Sequence, residues 1–166
     1  MEIKGILQLS PDVVQTYFQT LYMHGMLAAR FNDVQDPVWA DVVKVIRDNG
    51  SQMYGVIEDG VMVADFALQH IQEKAYLIHF SSMPTRPLKE SIPMIRKVLF
   101  QIMHWQDTDS FLIDTLIGMT PKINRIACIM VIKIGFRFKT VLPLTGPDKT
   151  ACMLTQLQRE DTDGWG

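Results

Sequence analysis

The chain has 166 residues, a length that suits a single domain with a sizeable hydrophobic core. Of these residues 48% are apolar and 20% are charged, and the formal net charge is −2 with acids and bases interspersed. This composition is typical of a globular protein. It lacks the basic excess that a nucleic-acid-binding surface requires, so nucleic acid is not an expected partner.

The N-terminal segment MEIKGILQLS has no basic stretch followed by a long apolar one, so we expect no secretory signal. The longest apolar run, IACIMVIKIGF, is interrupted by Lys133 and is too short to cross a bilayer. Cys128 and Cys152 have no metal-type spacing, and we interpret both as reduced, buried thiols. The alternative is a reactive nucleophile, but neither cysteine has a sequence neighbour that would acidify it. These features predict a cytoplasmic protein without a membrane segment.

A strand over residues 2–9 is the first predicted element. A helix follows, because Ser10 can cap it, Pro11 suits its first position and Asp12 favours the positive end of its dipole. Apolar side chains at helical spacing predict that this helix runs to about Ala29. They are Val14, Phe18 and Leu21.

A second helix is predicted over residues 38–48, ending at the stop signal Asn49-Gly50. Apolar runs separated by turn signals then predict a meander of three strands. Glu58-Asp59-Gly60 contains Asp-Gly, which favours a tight hairpin turn, and Gln72-Glu73-Lys74 supplies the next turn. The three strands span residues 52–58, 61–70 and 75–82.

After Met83-Pro84 the hydrophobic period becomes helical, which predicts a helix over residues 90–105 with one apolar face. That face contains Ile95, Val98, Leu99 and Ile102. FLIDTLIG at 111–118 predicts a short strand. Thr120-Pro121 is expected to begin a fourth helix, which ends at Gly135.

Two final strands are predicted over residues 136–143 and 150–158, on either side of a turn at Thr145-Gly146-Pro147-Asp148. The polar, glycine-bearing tail from 159 to 166 is expected to be mobile. The predicted domain therefore spans residues 1–158.

This element order predicts an α/β (α+β) fold with a mixed, mostly antiparallel sheet of about seven strands and helices on both faces. The strand at 75–82 connects through a helix to the strand at 111–118. Such a crossover favours one parallel pair within a right-handed unit.

Residues 124–136 read NRIACIMVIKIGF, and together with the element order they resemble the GNAT superfamily of acetyl-CoA-dependent N-acyltransferases. The family's late helix commonly reads Asn-x-x-Ala-x-x-x-Tyr-x-x-x-Gly-Phe, which Asn124, Ala127, Gly135 and Phe136 match. Physics explains three of these positions without a ligand: Gly135 can end a helix, Phe136 can pack on its last turn, and Ala127 permits close packing. Asn124 differs, because Thr120 is expected to cap the helix. The resemblance implies that Asn124 contacts the pantetheine arm of the cofactor.

Two positions depart from the family pattern. Val131 stands where the family often has the tyrosine that protonates the departing coenzyme A thiolate, and valine has no proton to give. The family also has a glycine-rich loop whose backbone N–H groups bind the pyrophosphate. The corresponding stretch here, residues 81–99, has no glycine, and we expect Pro87 and Pro93 to remove backbone donors.

If the cofactor site is retained, the resemblance implies that Ser82, Met83, Arg86, Lys89 and Asn124 bind acetyl-CoA. The alternative for Arg86 and Lys89 is solvated surface charge. We expect no cofactor, because the loop is altered.

A general base is difficult to identify in the sequence, and the candidates are His79, Asp65 and Asp114. Structural alternatives exist for each: His79 as a packed strand histidine, Asp65 as an edge or capping acid, and Asp114 as an isolated polar residue in an apolar strand. The other three histidines, His24, His70 and His104, show no ligand spacing, so no metal site is expected.

Short GNAT-like chains with altered cofactor loops resemble phage-encoded head-assembly or internal virion accessory proteins. This resemblance implies a non-catalytic assembly factor whose partners are virion or assembly components, in the host cytoplasm or associated with the virion. The alternative is an active acetyl-CoA-dependent N-acyltransferase acting on an amine. We also expect an exposed apolar patch, since the apolar fraction is high in a near-neutral chain.

Overall fold

The computed structural model describes residues 1–27, 36–143 and 150–165. The α-helices in these ranges are α1 (Pro11–Met23), α2 (Trp39–Asn49), α3 (Leu88–Met103) and α4 (Arg125–Ile134). The strands are β1 (Glu2–Gly5), β2 (Met53–Glu58), β3 (Val61–Gln72), β4 (Ala75–Ser82), β5 (Gln106–Asp107), β6 (Ser110–Phe111), β7 (Thr115–Pro121), β8 (Arg137–Leu142) and β9 (Cys152–Gln158).

Seven strands form one sheet in the order β1-β2-β3-β4-β7-β9-β8, and β5 pairs with β6 in a separate hairpin. β4 and β7 are parallel, with a register that runs from Ala75–Thr115 to Ile78–Gly118. The pairs β1–β2, β2–β3, β7–β9 and β8–β9 are antiparallel. The mixed, mostly antiparallel sheet and its parallel pair are therefore confirmed.

The chain divides into two compact units, Met1–Ala67 with Phe80–Pro87 and Leu68–His79 with Leu88–Gly166. The expectation of a single domain over residues 1–158 stays a prediction. None of the helices in the described ranges is long and apolar enough to cross a membrane.

The core of the first unit is built around α1. Val14, Phe18 and Leu21 are buried, as their spacing predicts, and Tyr17 is buried beside them. These side chains belong to one hydrophobic cluster that also contains Val42 of α2. The amphipathic periodicity thus places a tyrosine hydroxyl inside the core, where it needs a hydrogen-bond partner.

α1 ends at Met23, earlier than the predicted end at Ala29. Ala29 itself lies outside the described residues. Gly25 adopts a φ of 68°. The N–H groups of Gly25 and Met26 donate to the carbonyls of Tyr22 and Leu21, both at 2.9 Å. This is a Schellman motif, which ends the helix. Ser10 occupies the N-cap position as predicted, but its side chain makes no capping hydrogen bond.

In the second unit, α3 buries the predicted face of Ile95, Val98, Leu99 and Ile102. On its exposed side, Arg96 donates from Nε to the Ile134 carbonyl and from Nη2 to the Lys133 carbonyl, both at 3.0 Å. These are carbonyls of the last turn of α4, which lack partners within their own helix. Arg96 therefore caps the C-terminus of α4.

α4 ends at Gly135, as predicted, with a φ of 126°. The buried Phe136 donates its N–H to the Val131 carbonyl at 3.2 Å, so it closes the last turn. A Cβ at Gly135 would lie 2.6 Å from the ring of Trp165. The same ring lies under the Arg96 guanidinium, at 5.2 Å from its centroid.

Several predicted limits were wrong. β1 ends at Gly5, and Ile6–Gln8 form a 3-10 turn instead of continuing the strand. β7 begins at Thr115 and not at residue 111, because Phe111 pairs with Gln106 in the β5–β6 hairpin. Thr120 and Pro121 extend β7 by pairing with β9, so they do not begin α4. The predicted turn at 145–148 lies outside the described residues.

The C-terminal segment contains a 3-10 turn over Arg159–Thr162, in which the buried Thr162 donates its hydroxyl to the Arg159 carbonyl at 2.7 Å. The mobility expected for residues 159–166 stays a prediction.

Replacing Gly135 by alanine should destabilise the protein by about 3 kcal/mol, because the backbone strain adds to the overlap with Trp165. Gly25→Ala is the matched control, since Gly25 also follows a helix with positive φ but has no atom within 4 Å of the new Cβ. It should cost about 1 kcal/mol. Urea unfolding of G135A, W165A and the double variant measures the free energy of the steric overlap with Trp165. If G135A and G25A lost the same free energy of unfolding, the contact with Trp165 would be contradicted.

Candidate functional site

The segment between β4 and α3 is where the resemblance implies a pyrophosphate-binding loop. It consists of Met83-Pro84-Thr85-Arg86-Pro87, and α3 begins directly after it at Leu88. Two of its five residues are prolines, which have no N–H group. Pro93 lies inside α3, beyond the first turn, so the N–H that it lacks is not one of the donors of this loop.

The remaining N–H groups of this loop are largely engaged in folding. Met83 donates to the Val63 carbonyl at 2.9 Å, and Arg86 donates to the Met83 carbonyl at 3.1 Å. Thr85 is the loop residue whose N–H takes no part in these bonds. Beyond the loop, only the N–H groups of the first turn of α3 point away from their own helix. The backbone therefore offers fewer donors than a glycine-rich phosphate loop does.

Side-chain charge does not replace the missing amides. Arg86 Nη1 donates to Glu58 Oε2 at 2.7 Å, with both side chains largely buried. Lys89 is exposed, but Glu90 follows it in the first turn of α3. A carboxylate there already benefits from the positive end of the helix dipole and repels a second anion. Of the two candidates, Arg86 is thus neutralised by Glu58, and Lys89 lies next to a carboxylate in the sequence.

The other two candidates of this segment are apolar or partly covered. Ser82 is half-buried at the end of β4, and Met83 packs against the hydrophobic cluster of the first unit. Met83 has no group that binds a diphosphate, and Ser82 offers one uncharged hydroxyl.

Asn124 is the N-cap residue of α4. Its Oδ1 accepts a hydrogen bond from the Ala127 N–H at 3.1 Å. Thr120 was expected to cap this helix and leave Asn124 for a ligand, which was wrong because Thr120 lies within β7. Asparagine is a favoured N-cap residue, so the folding of α4 accounts for its presence at this position.

Val131 is half-buried in α4 and presents only methyl groups where the family often has a tyrosine hydroxyl. The structure therefore accounts for the family-like spacing of Asn124, Gly135 and Phe136 by the start and the end of one helix.

Asp65 lies on β3 and is fully buried, so its interpretation as an edge or capping acid was wrong. The Tyr17 hydroxyl donates to Asp65 Oδ1 at 2.9 Å and also lies 3.3 Å from the Ser81 carbonyl. A buried carboxylate requires such partners. The pair joins α1 to β3 and β4 inside the first unit.

His79 lies on β4 with an exposed side chain, so its interpretation as a packed strand histidine was wrong. Asp114 precedes β7 instead of lying within a strand. Its Oδ1 accepts from Arg159 Nε at 3.2 Å, and the Arg159 guanidinium covers the Phe111 ring at 4.1 Å. Asp114 is at the opposite end of β7 from Asn124, and a seven-residue strand spans roughly 20 Å. The two residues cannot share a site.

The cysteines are free; Cys152 is buried and Cys128 is half-buried. Burial raises the pKa of the Cys128 thiol above its ordinary value, and the raised value opposes a role as nucleophile. Among the described residues, His, Cys, Asp and Glu side chains form no cluster of three that could hold a metal ion.

Sequence reasoning missed two of these pairings. Glu58 neutralises Arg86 from 28 residues away, and Tyr17 satisfies Asp65 from 48 residues away. The position of Tyr17 on the apolar face of α1 was an available signal, because a buried phenol needs a partner. The sequence contains no corresponding signal for Glu58.

Solved structures with the same fold are acetyltransferases. A GNAT-family acetyltransferase from Bacillus anthracis superposes with a TM-score of 0.65 at 13% identity, over 95% of this chain and 94% of that one. An N-acetyltransferase from Staphylococcus aureus Mu50 gives 0.67 at 15% identity, over 96% and 97%. The microcin C7 self-immunity acetyltransferase, in complex with acetyl-CoA and AMP, gives 0.62 at 12% identity, over 86% and 87%.

No protein-family model matches the sequence. A comparison with curated proteins gives no match either. The chain therefore has the fold of the GNAT acetyltransferases, as the late-helix motif and the strand order predict. At these identities the likeness establishes the fold alone.

Replacing Tyr17 by phenylalanine should lower the free energy of unfolding by about 1–2 kcal/mol, because the buried Asp65 loses a hydrogen-bond donor. Tyr22→Phe is the control on the same helix, since Tyr22 is 57% exposed, and it should change stability by less than about 0.5 kcal/mol. Urea unfolding monitored by circular dichroism measures both variants. Equal stability of the two would show that the Tyr17 hydroxyl does not satisfy Asp65.

Proposed function

We propose that this protein is a GNAT-fold scaffold that binds a protein partner and does not catalyse acetyl transfer. The observation that carries the proposal is the loop between β4 and α3. Two prolines and two engaged amides leave Thr85 as the principal free backbone donor of that loop. A diphosphate bound through main-chain N–H groups needs several convergent donors.

The charges near this loop support the same conclusion. Arg86 is paired with Glu58, and Glu90 occupies the first turn of α3. An anionic cofactor would have to break an ion pair and approach a carboxylate. Both steps oppose binding.

The catalytic groups are also missing or engaged. Val131 cannot protonate a thiolate, Asp65 is buried against Tyr17, and Asp114 is paired with Arg159. His79 has an exposed side chain, and the Asp114 side chain is 46% exposed but paired with Arg159. A base without a held cofactor does not make an acetyltransferase.

The narrower role that we propose is head assembly of a tailed phage. What supports it is the resemblance to short, phage-encoded GNAT-like accessory proteins with altered cofactor loops. In this role the partner is a virion or assembly component, and the protein acts in the host cytoplasm or within the virion.

The second candidate function is an active acetyl-CoA-dependent N-acetyltransferase acting on an amine. It is favoured by the extent of the fold likeness, which includes a structure bound to acetyl-CoA. In that case Ser82, Met83, Arg86, Lys89 and Asn124 would hold the cofactor. His79 would be the candidate base.

We expect acetyl-CoA to bind weakly or not at all in calorimetric titration, because the loop lacks both donors and net positive charge. Glu58→Gln frees Arg86 and should improve any affinity by no more than about tenfold, because a single partly solvated charge contributes about 1 kcal/mol. Arg86→Gln is the control and should leave the wild-type heat unchanged. Low-micromolar binding to the wild type, lost in R86Q, would contradict the scaffold proposal and favour the enzyme.

A further inference from the structure

α4 has an unusual exposure for its composition. Eight of its ten residues are apolar, yet Ile134 alone is fully buried within this helix, all of which the structure describes. Ile126 is 72% exposed and Ile129 is 53% exposed. Ile132 is also exposed, and these isoleucines are neighbours at i, i+3 spacing. A helix that is hydrophobic around its circumference is normally covered.

A groove adjoins this helix. It has a volume of about 480 Å³ and lies between α4 and the strands β8 and β9. Its apolar lining comes from Cys128, Ile129, Phe138, Val141 and Met153. We call α4, β8 and this groove the α4–β8 face. It is our candidate for the exposed apolar patch that the composition predicts.

The α4–β8 face is basic. Residues 122–142 contain five basic side chains and no acidic one, although the whole chain has a net charge of −2. Lys122 and Arg125 line the groove itself, and Lys133, Arg137 and Lys139 are exposed beyond it. Arg137 pairs with Asp161, and no carboxylate in the described ranges forms a salt bridge with the other four. A partner that fits this face carries acidic groups next to apolar ones.

The geometry opposes two ways of covering the face. β8 is the last strand in the sheet order, but its register with β9 shifts between Phe138 and Thr140, which leaves Lys139 as a bulge. A bulge with exposed basic side chains protects a sheet edge from strand addition. Pairing with a second copy of the same face would bring its basic residues together, which costs binding energy.

We propose that the α4–β8 face binds an amphipathic helix of a partner protein, with apolar side chains in the groove and glutamate or aspartate side chains facing Lys122 and Arg125. This assignment rests on the proposed scaffold function and specifies the chemistry of its partner. A concave apolar groove suits the apolar side chains of one helix.

The test uses the full chain and two labelled, alanine-based helical peptides with the same stripe of leucines. One has glutamates beside the stripe and the other has lysines at those positions. Fluorescence anisotropy should show the glutamate peptide binding at least about tenfold more tightly than the lysine peptide. Its affinity should fall as the salt concentration rises.

Ile129→Ser should weaken binding of the glutamate peptide by about tenfold, because one buried apolar side chain is lost. The control is Ile71→Ser, since Ile71 is 51% exposed and lies on β3, and it should bind as the wild type does. Lys122→Gln with Arg125→Gln should reduce both the affinity and its salt dependence. Lys97→Gln, at an exposed position of α3, should change neither.

Equal affinity for the two peptides, or an I129S variant that binds like I71S, would overturn the proposal. The proposal would also be overturned if sedimentation velocity showed a dimer that the I129S substitution dissociates, because a second copy of the chain would then cover the face. Binding to vesicles containing phosphatidylserine that I129S abolishes would assign the face to a membrane instead. If neither peptide binds and acetyl-CoA does not bind either, the assignment of the α4–β8 face is wrong, but the scaffold proposal stands. Tight acetyl-CoA binding removes the scaffold proposal whatever the peptides do.

Discussion

The supply of backbone N–H groups between β4 and α3 is the constraint on which the account of this protein depends. Pro84 and Pro87 contribute none, and Met83 and Arg86 use theirs to hold the loop against β3 and close its turn. A fold can bring a diphosphate to this place only if amides there are left unpaired. This chain uses two of its three loop amides for folding, which supports the proposal that the loop does not hold a diphosphate.

Other polar candidates for cofactor binding or catalysis also have partners within the protein. Asn124 caps α4, Arg86 neutralises Glu58, and Asp65 satisfies the Tyr17 hydroxyl. These three side chains are engaged in hydrogen bonds or ion pairs within the protein. In contrast, α4 leaves apolar surface exposed next to basic side chains. The candidate polar side chains are thus paired within the protein, while apolar side chains of α4 are exposed. This arrangement favours a binding role over a catalytic one.

Local signals predicted most of the fold. The Asp59-Gly60 hairpin turn, the face of α3 and the end of α4 at Gly135 were correct because neighbouring residues determine them. The start of α4 was wrong because pairing of β7 with the distant β9 extends the strand through Thr120. The candidate site was less predictable, since Glu58 and Tyr17 reach their partners across many residues and no local pattern encodes such a contact. The motif spacing identified the fold but not whether its polar groups were engaged.

The most direct test of the central claim is a titration of ¹⁵N-labelled protein with acetyl-CoA, followed at the backbone amides of Thr85, Leu88, Lys89 and Glu90. These are the donors that could still reach a diphosphate. The account predicts shifts no larger than those caused by an equal ionic strength of sodium chloride, even at a large excess of acetyl-CoA. Saturable shifts of these four amides at low-micromolar concentrations would contradict it.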